Sequence, residues 1–415
     1  MTPNIAILAG ESSGDGFGAR LAAELHRAVP ELRLWGLGGD RMRRAGVDVI
    51  EDIHGWAAIG IVESLRVAPR LRFRVLPKLQ RAIGERRPSV VIPIDFGAFN
   101  VPVARWCKSR GHRVLYFLPP GSWRRSGPPP YGLAAATDAI ATQFPWSEER
   151  LRQAGANATF VGHPLLDIVR PTEERDRFIE SIGLDHHMPI VALLPGSRRA
   201  ELTHTSPALA DAARMMTARL PGLQFVTALA GSGASSNPGW TPEPLQALAE
   251  AAGHGHPRVA IVRGRTHDAL AHADAAVVCS GTATLEAAIL GVPMVIIYRG
   301  SRLMRIEYAL RRVSRIEHIG LPNIIANRRI MPELVADAAT PEAIAEHTMR
   351  YLLDKEAAVA ARRDLEHVRL SLGEPGACRR AADMALQLAG LAGAPVTQGH
   401  AQANVGSGAA AGSLL

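Results

Sequence analysis

The chain has 415 residues, 47% hydrophobic and 21% charged, the balance of an ordinary soluble globular protein with room for two separate cores. Three dispersed cysteines, Cys107, Cys279 and Cys378, exclude a disulfide framework or a Cys-x-x-Cys metal site and fit a reducing cytoplasm, and no apolar run reaches the ~18 residues of a membrane span. A net charge of +8 and a pI of about 10.0 call for an anionic partner: nucleic acid, an acidic membrane surface or a phosphorylated substrate.

Met1–Asn4 carries no basic leader region. The first predicted element is a strand, Ile5–Leu8, which stops at Gly10. The loop Glu11-Ser12-Ser13-Gly14-Asp15 follows, and then Leu21, Leu25 and Ala28 recur at helical spacing. In open α/β sheets ligands sit where loops leave the carboxyl ends of strands. Gly14 and Gly16 let backbone approach a ligand closely. The loop fits neither the P-loop lysine pattern nor G-x-G-x-x-G. Glu11 and Asp15 discourage a phosphate, so a neutral or hydroxyl-bearing ligand suits it better. The plain structural alternative is a helix N-cap by Ser12 or Ser13.

Further predicted strands are Leu32–Gly36, Val90–Ile94, Arg113–Phe117, Ala139–Thr142 and Thr159–Val161, with helical patterns between them. This alternation implies parallel strands with right-handed crossovers. Between Leu32–Gly36 and Val90–Ile94 lies a basic amphipathic stretch, residues 64–87. Arg66, Arg70, Arg72, Arg74, Lys78 and Arg81 interleave there with Leu71, Phe73, Leu76 and Leu79, with breaks predicted near Pro69 and Pro77. Such a stretch can lie on anionic lipid; alternatively it covers the sheet with a solvated basic face. Asp95 follows the apolar run Val90–Ile94. A carboxylate at the end of a buried strand points into the ligand crevice, where desolvation raises its pKa toward that of a general base. A turn-forming Asp is the alternative.

A polar junction, residues 163–186, precedes a second series of strands: Ile190–Leu194, Leu223–Leu229, Val259–Val262, Ala275–Cys279 and Pro293–Ile297. Gly162-His163-Pro164 at the junction reads as a hinge. Two strand-to-helix turns here suit a diphosphate: Gly196-Ser197-Arg198 after the first strand, and Ser280-Gly281-Thr282 after Ala275–Cys279. Glu286 falls about one turn into the helix that the second loop opens, placed to accept hydrogen bonds from two ribose hydroxyls; its alternative role is to balance the helix dipole. No Asp-x-Asp pair exists to hold a metal on a diphosphate. Neither metal nor cofactor is expected. The predicted architecture is α/β. Residues 1–165 and 186–340 form two Rossmann-like doubly wound domains, 341–390 form C-terminal helices, and 391–415 form a Gly/Ala/Ser-rich disordered tail.

These residues resemble the lipid-A-disaccharide synthases, two-domain glycosyltransferases of the GT-B type. The resemblance rests on Ala9–Asp15, Gly60–Glu63, Ile94-Asp95 with Phe99-Asn100, Gly162-His163, Leu194–Arg198, Ser280–Glu286, Tyr298-Arg299 and Leu321-Pro322-Asn323. It implies two domains facing across a cleft. It also implies inverting transfer of a diacylated glucosamine from UDP to the 6-hydroxyl of diacylglucosamine 1-phosphate. In that reading Asp95 is the base. Gly196, Ser197, Arg198, Ser280, Gly281, Thr282 and Glu286 hold the UDP-sugar. Glu11, Ser12, Ser13, Gly14, Asp15 and Asn100 shape the acceptor side. Arg66, Arg70, Arg72, Phe73, Arg74 and Leu76 face the anionic inner membrane, with the protein peripheral on its cytoplasmic side. No nucleic acid is expected, and a homo-oligomer stays open. Two departures lie on the acceptor side: Ala98 stands where the family usually has a second Asp, and the 116–130 loop lacks the family's tryptophan spacing. They keep open a related glycosyltransferase with another lipid acceptor, or a membrane-associated paralogue that binds nucleotide sugar without turnover.

Overall fold

The computed structural model describes residues 3–54, 56, 68–125, 127, 130–229, 241–250, 257–299 and 318–391. Gly60–Glu63, Arg66, Pro128, Pro129, the 231–239 loop and the tail from 392 lie outside the described residues.

The first domain is built on β1 (Asn4–Leu8), β2 (Arg33–Gly38), β3 (Asp48–Asp52), β4 (Val90–Pro93), β5 (Leu115–Phe117), β6 (Ala139–Thr142) and β7 (Ala158–Phe160). Four strands run in the order β3-β2-β1-β4. Single parallel bridges, Val91 to Val114 and Ile94 to Phe117, carry the sheet on into β5-β6-β7. Every residue of β4, β5 and β6 is buried, as expected for parallel strands covered on both faces. The second domain holds β8 (Ile190–Leu194), β9 (Gln224–Leu229), β10 (Arg258–Arg263), β11 (Ala275–Cys279), β12 (Met294–Tyr298) and β13 (Glu333–Val335) in the order β10-β9-β8-β11-β12-β13. β3 and β13 were not predicted. Both are edge strands, one of them with acidic residues at each end, the other only three residues long, so neither carries an apolar run.

Each sheet reverses its winding at one place, between β1 and β4 in the first domain and between β8 and β11 in the second. Loops leaving adjacent strands diverge at such a switch point and open a crevice. The four loops bounding the two crevices begin at Ala9, Ile94, Pro195 and Ser280, which are the four motif positions.

The basic stretch is helical from 68 to 86. It does not break at Pro77. Instead Leu71–Val75 opens into a π turn before helix Leu76–Arg86, which accommodates a ring that would otherwise clash with the carbonyl four residues back. Val75, Leu79 and Ile83 are fully buried, and Leu76 packs partly buried against the same core. The apolar stripe therefore serves the sheet. Arg70 and Lys78 both pair with Glu51, at 3.1 and 2.9 Å. What remains outward is Phe73, 75% exposed, between the exposed Arg72 and Arg74. Leu76 and Arg70 are thus corrected: one is core packing, the other an ion-pair partner.

Two chain segments cross between the domains side by side. The first carries Val161, Gly162 and His163 into a short 3-10 turn, Pro164–Asp167. The second joins helix Lys355–Ser371, which packs on the second domain, to helix Ala377–Ala389, which packs on helix Ser12–Ala28 and on β4–β6 of the first. The last helix therefore belongs to the first domain's layer rather than to a separate helical unit. The crossings are tied together. His163 N donates to Leu372 O at 2.9 Å, Arg380 Nε to Val161 O at 2.9 Å, and Gly376 N and Cys378 N to Asp167. His163 is buried, burial pushes its pKa down to about 3, and its Nδ1 accepts from Leu165 N; it is a neutral structural residue of the crossing. The linker beyond is pinned by Asp268, which accepts from Thr172 N, Thr172 Oγ1 and Glu173 N.

Asp167 caps helix Ala377–Ala389 from outside its own segment. Asp167→Ala is expected to lower the unfolding free energy by about 1–2 kcal/mol, measured by urea denaturation followed by circular dichroism.

Candidate active site

Asp95 and Phe96 both adopt left-handed backbone, at φ 41° and 47°. Two such residues in sequence, neither glycine, cost about 1–3 kcal/mol each and need support. Asn100, fully buried on helix Gly97–Ser109, supplies it. Its Nδ2 donates to Leu8 O (3.1 Å), Ile94 O (2.9 Å) and Asp95 O (3.1 Å). The hydroxyl of buried Tyr116 also donates to Asp95 O, at 2.7 Å. Asn100 thus joins the ends of β1 and β4 and fixes the turn. It holds Asp95 from behind and does not line the acceptor side. Gly10 completes the fit, since a Cβ there would lie 2.1 Å from the Phe96 ring.

The Asp95 carboxylate is pushed up to about 7, chiefly by burial and then by the charge of Glu11. The second carboxylate of this pair therefore comes from the loop after β1, while Ala98 is exposed. Glu11 is half-buried and accepts from Ser13 Oγ at 3.3 Å, and Ser12 is exposed. Neither serine side chain caps the helix; the N-cap residue is Glu11, without a side-chain cap bond. Gly14 and Asp15 are buried. Asp15 accepts from Gly39 N (2.6 Å), Arg41 N (3.1 Å) and Met42 N (3.2 Å). Its carboxylate fastens helix Asp40–Arg44 and does not face an acceptor. Of the residues expected there, Glu11, Ser12 and Ser13 remain beside Asp95's crevice.

In the second domain, helix Thr282–Ile289 begins at Gly281 with no side-chain cap, so its first N–H groups face outward for an anion. Ser280 Oγ donates to Ile319 O at 2.9 Å, which leaves Gly281 and Thr282 as the open part of that loop. Glu286 sits one turn in, pushed up to about 6 by burial, with the charge of Arg41 opposing. His267 Nε2 lies 3.8 Å from Glu286 Oε2, and burial lowers its pKa, so the pair is a neutral imidazole beside a carboxyl. His267 was not foreseen; a single His in a helix pattern gives no signal without the fold.

The other anion loop is already engaged. Glu201 Oε2 accepts from Ser197 N (2.9 Å) and Arg198 N (3.1 Å), and Arg198 Nη1 reaches Glu201 Oε1 at 2.7 Å. A Cβ on Gly196 would lie 2.6 Å from Glu201 Cβ. The backbone N–H groups expected to meet a diphosphate hold an internal carboxylate instead, and Glu201 must turn away before the Ser197 and Arg198 N–H groups can bind another anion. Asn323, of the Leu-Pro-Asn motif, is fully buried and bonds to Ile330 N, Met331 N, Met331 O and Glu333, so it shapes the loops at the edge of this crevice. The domains meet again where Arg125, stacked 3.7 Å from the Trp146 ring centroid, donates to Ile325 O. Trp146 thereby supplies an aromatic platform beside the 116–130 loop, whose own Trp123 carries Arg124 over its ring.

Residues 5–388 match the family model described as lipid-A-disaccharide synthetase. The lipid-A-disaccharide synthase of Syntrophus aciditrophicus is 39% identical over 387 residues, covering 92% of this chain and 97% of that protein. That of Geobacter sulfurreducens is 38% identical, covering 93% and 97%. Among solved structures, Staphylococcus aureus MnaA with UDP aligns at TM-score 0.63 and 10% identity, covering 94% of this chain and 98% of that one. The glycosyltransferase of kitacinnamycin aligns at TM-score 0.59 and 16% identity, covering 93% and 99%. At such identities these structures establish the shared GT-B fold alone.

Because Glu11 helps raise the Asp95 pKa, Glu11→Gln is expected to move it below about 7, toward the ordinary carboxylate range. Carbon-13 NMR of the aspartate carboxyls across a pH titration measures the shift.

Proposed function

Because the chain belongs to the lipid-A-disaccharide synthetase family and is a glycosyltransferase that forms the lipid A disaccharide, we propose that its two crevices divide the reaction between them. The donor, UDP-diacylglucosamine, binds the second domain. Its diphosphate lies on the Gly281–Thr282 helix start, and Glu286 holds the ribose hydroxyls. The acceptor, diacylglucosamine 1-phosphate, binds along the first domain with its 6-hydroxyl at Asp95. Asp95 takes the hydroxyl proton as the oxygen attacks the anomeric carbon from the face opposite UDP. The glycosidic bond forms, the bond to the diphosphate breaks, and UDP leaves with inversion. Charge building on the leaving diphosphate is met by helix N–H groups and by Arg198 once Glu201 has turned away.

The observation that carries this reading is the Asp95 carboxylate itself. It stands at the carboxyl end of β4 on a turn held by Asn100 and Tyr116, with a pKa near 7. That value lets it be ionised at neutral pH and still accept a proton. Asp95→Asn keeps the shape and removes the base. It is expected to lower kcat about a hundred- to ten-thousand-fold with little change in donor KM, read from UDP release with both lipid substrates.

The acylated substrates reside in a membrane, and Phe73 between Arg72 and Arg74 is the surface suited to reach it. An exposed aromatic beside two cations, carried on a helix whose inner face is anchored in the core, fits the interface of an anionic bilayer. Replacing Arg72 and Arg74 by Gln is expected to weaken binding to phosphatidylglycerol vesicles about thirtyfold, at about 1 kcal/mol per basic residue. Phe73→Ser weakens the salt-resistant remainder. Vesicle sedimentation at two salt concentrations separates the two contributions.

A further inference from the structure

Arg125 carries a direct bond between the two crevice walls, and each end of that bond leads back to a reacting group. On the first-domain side its loop leaves β5, whose Phe117 O accepts from Asp95 N at 3.2 Å. Pro120 packs on the Asp95 turn itself: a Cβ at Gly97 would lie 2.6 Å from Pro120 Cβ. Ser122 fastens the loop further, its Oγ accepting from Gln143 Nε2 at 2.7 Å and its carbonyl from Trp146 Nε1 at 3.1 Å. Trp146 stacks in turn on buried Phe144, with ring centroids 4.8 Å apart, and Phe144 meets the His163 ring of the crossing at 5.5 Å. On the second-domain side, Ile325 lies in helix Leu321–Ala326. Glu333 holds the entry of that helix through Ile319 N (3.1 Å) and Gly320 N (2.8 Å). Ile319 O accepts from Ser280 Oγ, the first residue of the donor loop, at 2.9 Å.

We propose that Arg125 is a positioning residue for glycosyl transfer, its bond to Ile325 O fixing the distance between Asp95 and the Gly281–Thr282 loop; this rests on the base and donor positions given above. Attacking and leaving oxygens must stand in line across the anomeric carbon, and a misplacement of about 1 Å can cost about a hundredfold. The groups that hold them stand on different domains. The paired crossings tie those domains along one line, about which two bodies can still rotate; a second contact stops the rotation. Arginine suits the place. Its guanidinium lies 3.7 Å over the Trp146 ring while an N–H at its edge meets a carbonyl, which an ammonium cannot do in the same way. The carbonyls of a last helical turn lack intrahelical donors and carry the negative end of the dipole. Asn323 O and Ile324 O are taken by Arg328 N and Asn327 N, at 3.2 and 3.3 Å, and Ile325 O takes Arg125.

The test compares the full-length wild type with Arg125→Ala, Arg125→Lys and Arg124→Ala. Arg125→Ala is expected to lower kcat about ten- to a hundredfold. UDP affinity, measured by calorimetry, changes less than about twofold, because the donor loop itself is untouched. With UDP bound, small-angle X-ray scattering gives Arg125→Ala a larger radius of gyration than the wild type. Arg125→Lys shows the same pattern in smaller measure, and does so even if Arg125→Ala folds poorly. Arg124→Ala removes a charge from the same loop, where its guanidinium lies over Trp123, and leaves kcat within about twofold. Wild-type kcat in both Arg125 variants, a kcat loss without any change in radius of gyration, or a loss of UDP affinity equal to the loss in kcat overturns the positioning role. Full activity in Asp95→Asn overturns the base position instead, and failure of the wild type to bind UDP overturns the donor position.

Discussion

One buried amide holds the first crevice together. Asn100 gives its Nδ2 to three carbonyls, at the ends of two adjacent strands and on the strained residue between strand and helix. The two left-handed residues cost about 1–3 kcal/mol each. The two Nδ2 protons of Asn100, shared among the three carbonyls, and the Tyr116 hydroxyl make hydrogen bonds worth about 1 kcal/mol each, which offset much of that cost and hold one conformation. The turn matters because Asp95 lies in it. In relaxed backbone the chain would run straight from β4 into its helix. With the turn, the carboxylate stands off the end of the sheet, half out of water, facing Glu11. Both features raise its pKa.

The second domain handles charge in the opposite sense. There the chain collects donors: an uncapped helix start at Gly281, and the loop of Ser197 and Arg198. A cluster of anion-binding groups without an anion is costly, and Glu201 relieves the second of them by folding back onto it. The capping carboxylate makes the bonds that a phosphate would make at a helix N-terminus. The loop's own N–H groups are therefore satisfied from within the domain, and in the proposed reading a diphosphate would have to displace the Glu201 carboxylate. The paired crossings at 161–167 and 372–380 fix where the two walls meet, because one tie cannot shift without carrying the other.

The placement of the motifs was legible in the sequence because topology alone decides it. Parallel strands buried on both faces announce themselves as apolar runs, and the loops after them must emerge at one edge. Asp95, Gly281 and Glu286 stand at those edges, where the strand pattern puts them. The roles of Asp15, Asn100, Asn323 and Arg198 were not legible. Asp15 spends its carboxylate on backbone 24–27 residues away, and Asn100 bridges to Leu8 across 92; no local pattern encodes such pairings. Arg198 looked free because its partner, Glu201, is one helical turn on and reads as an ordinary first-turn acid. The basic stretch was half legible: its charges were evident, but only the packed helix shows that Leu76 faces the core and that Glu51 takes up Arg70 and Lys78.

The central claim is that the carboxylate on the Asn100-braced turn is the base for glycosyl transfer. The pH dependence of kcat/KM for the acceptor tests it most directly, taken from about pH 5 to 9 with donor saturating. Activity should rise with pH through an apparent pKa near 7, as the free enzyme's base loses its proton. A profile flat from about pH 5.5 to 8, or one whose midpoint lies near the ordinary carboxylate value of about 4, would contradict it.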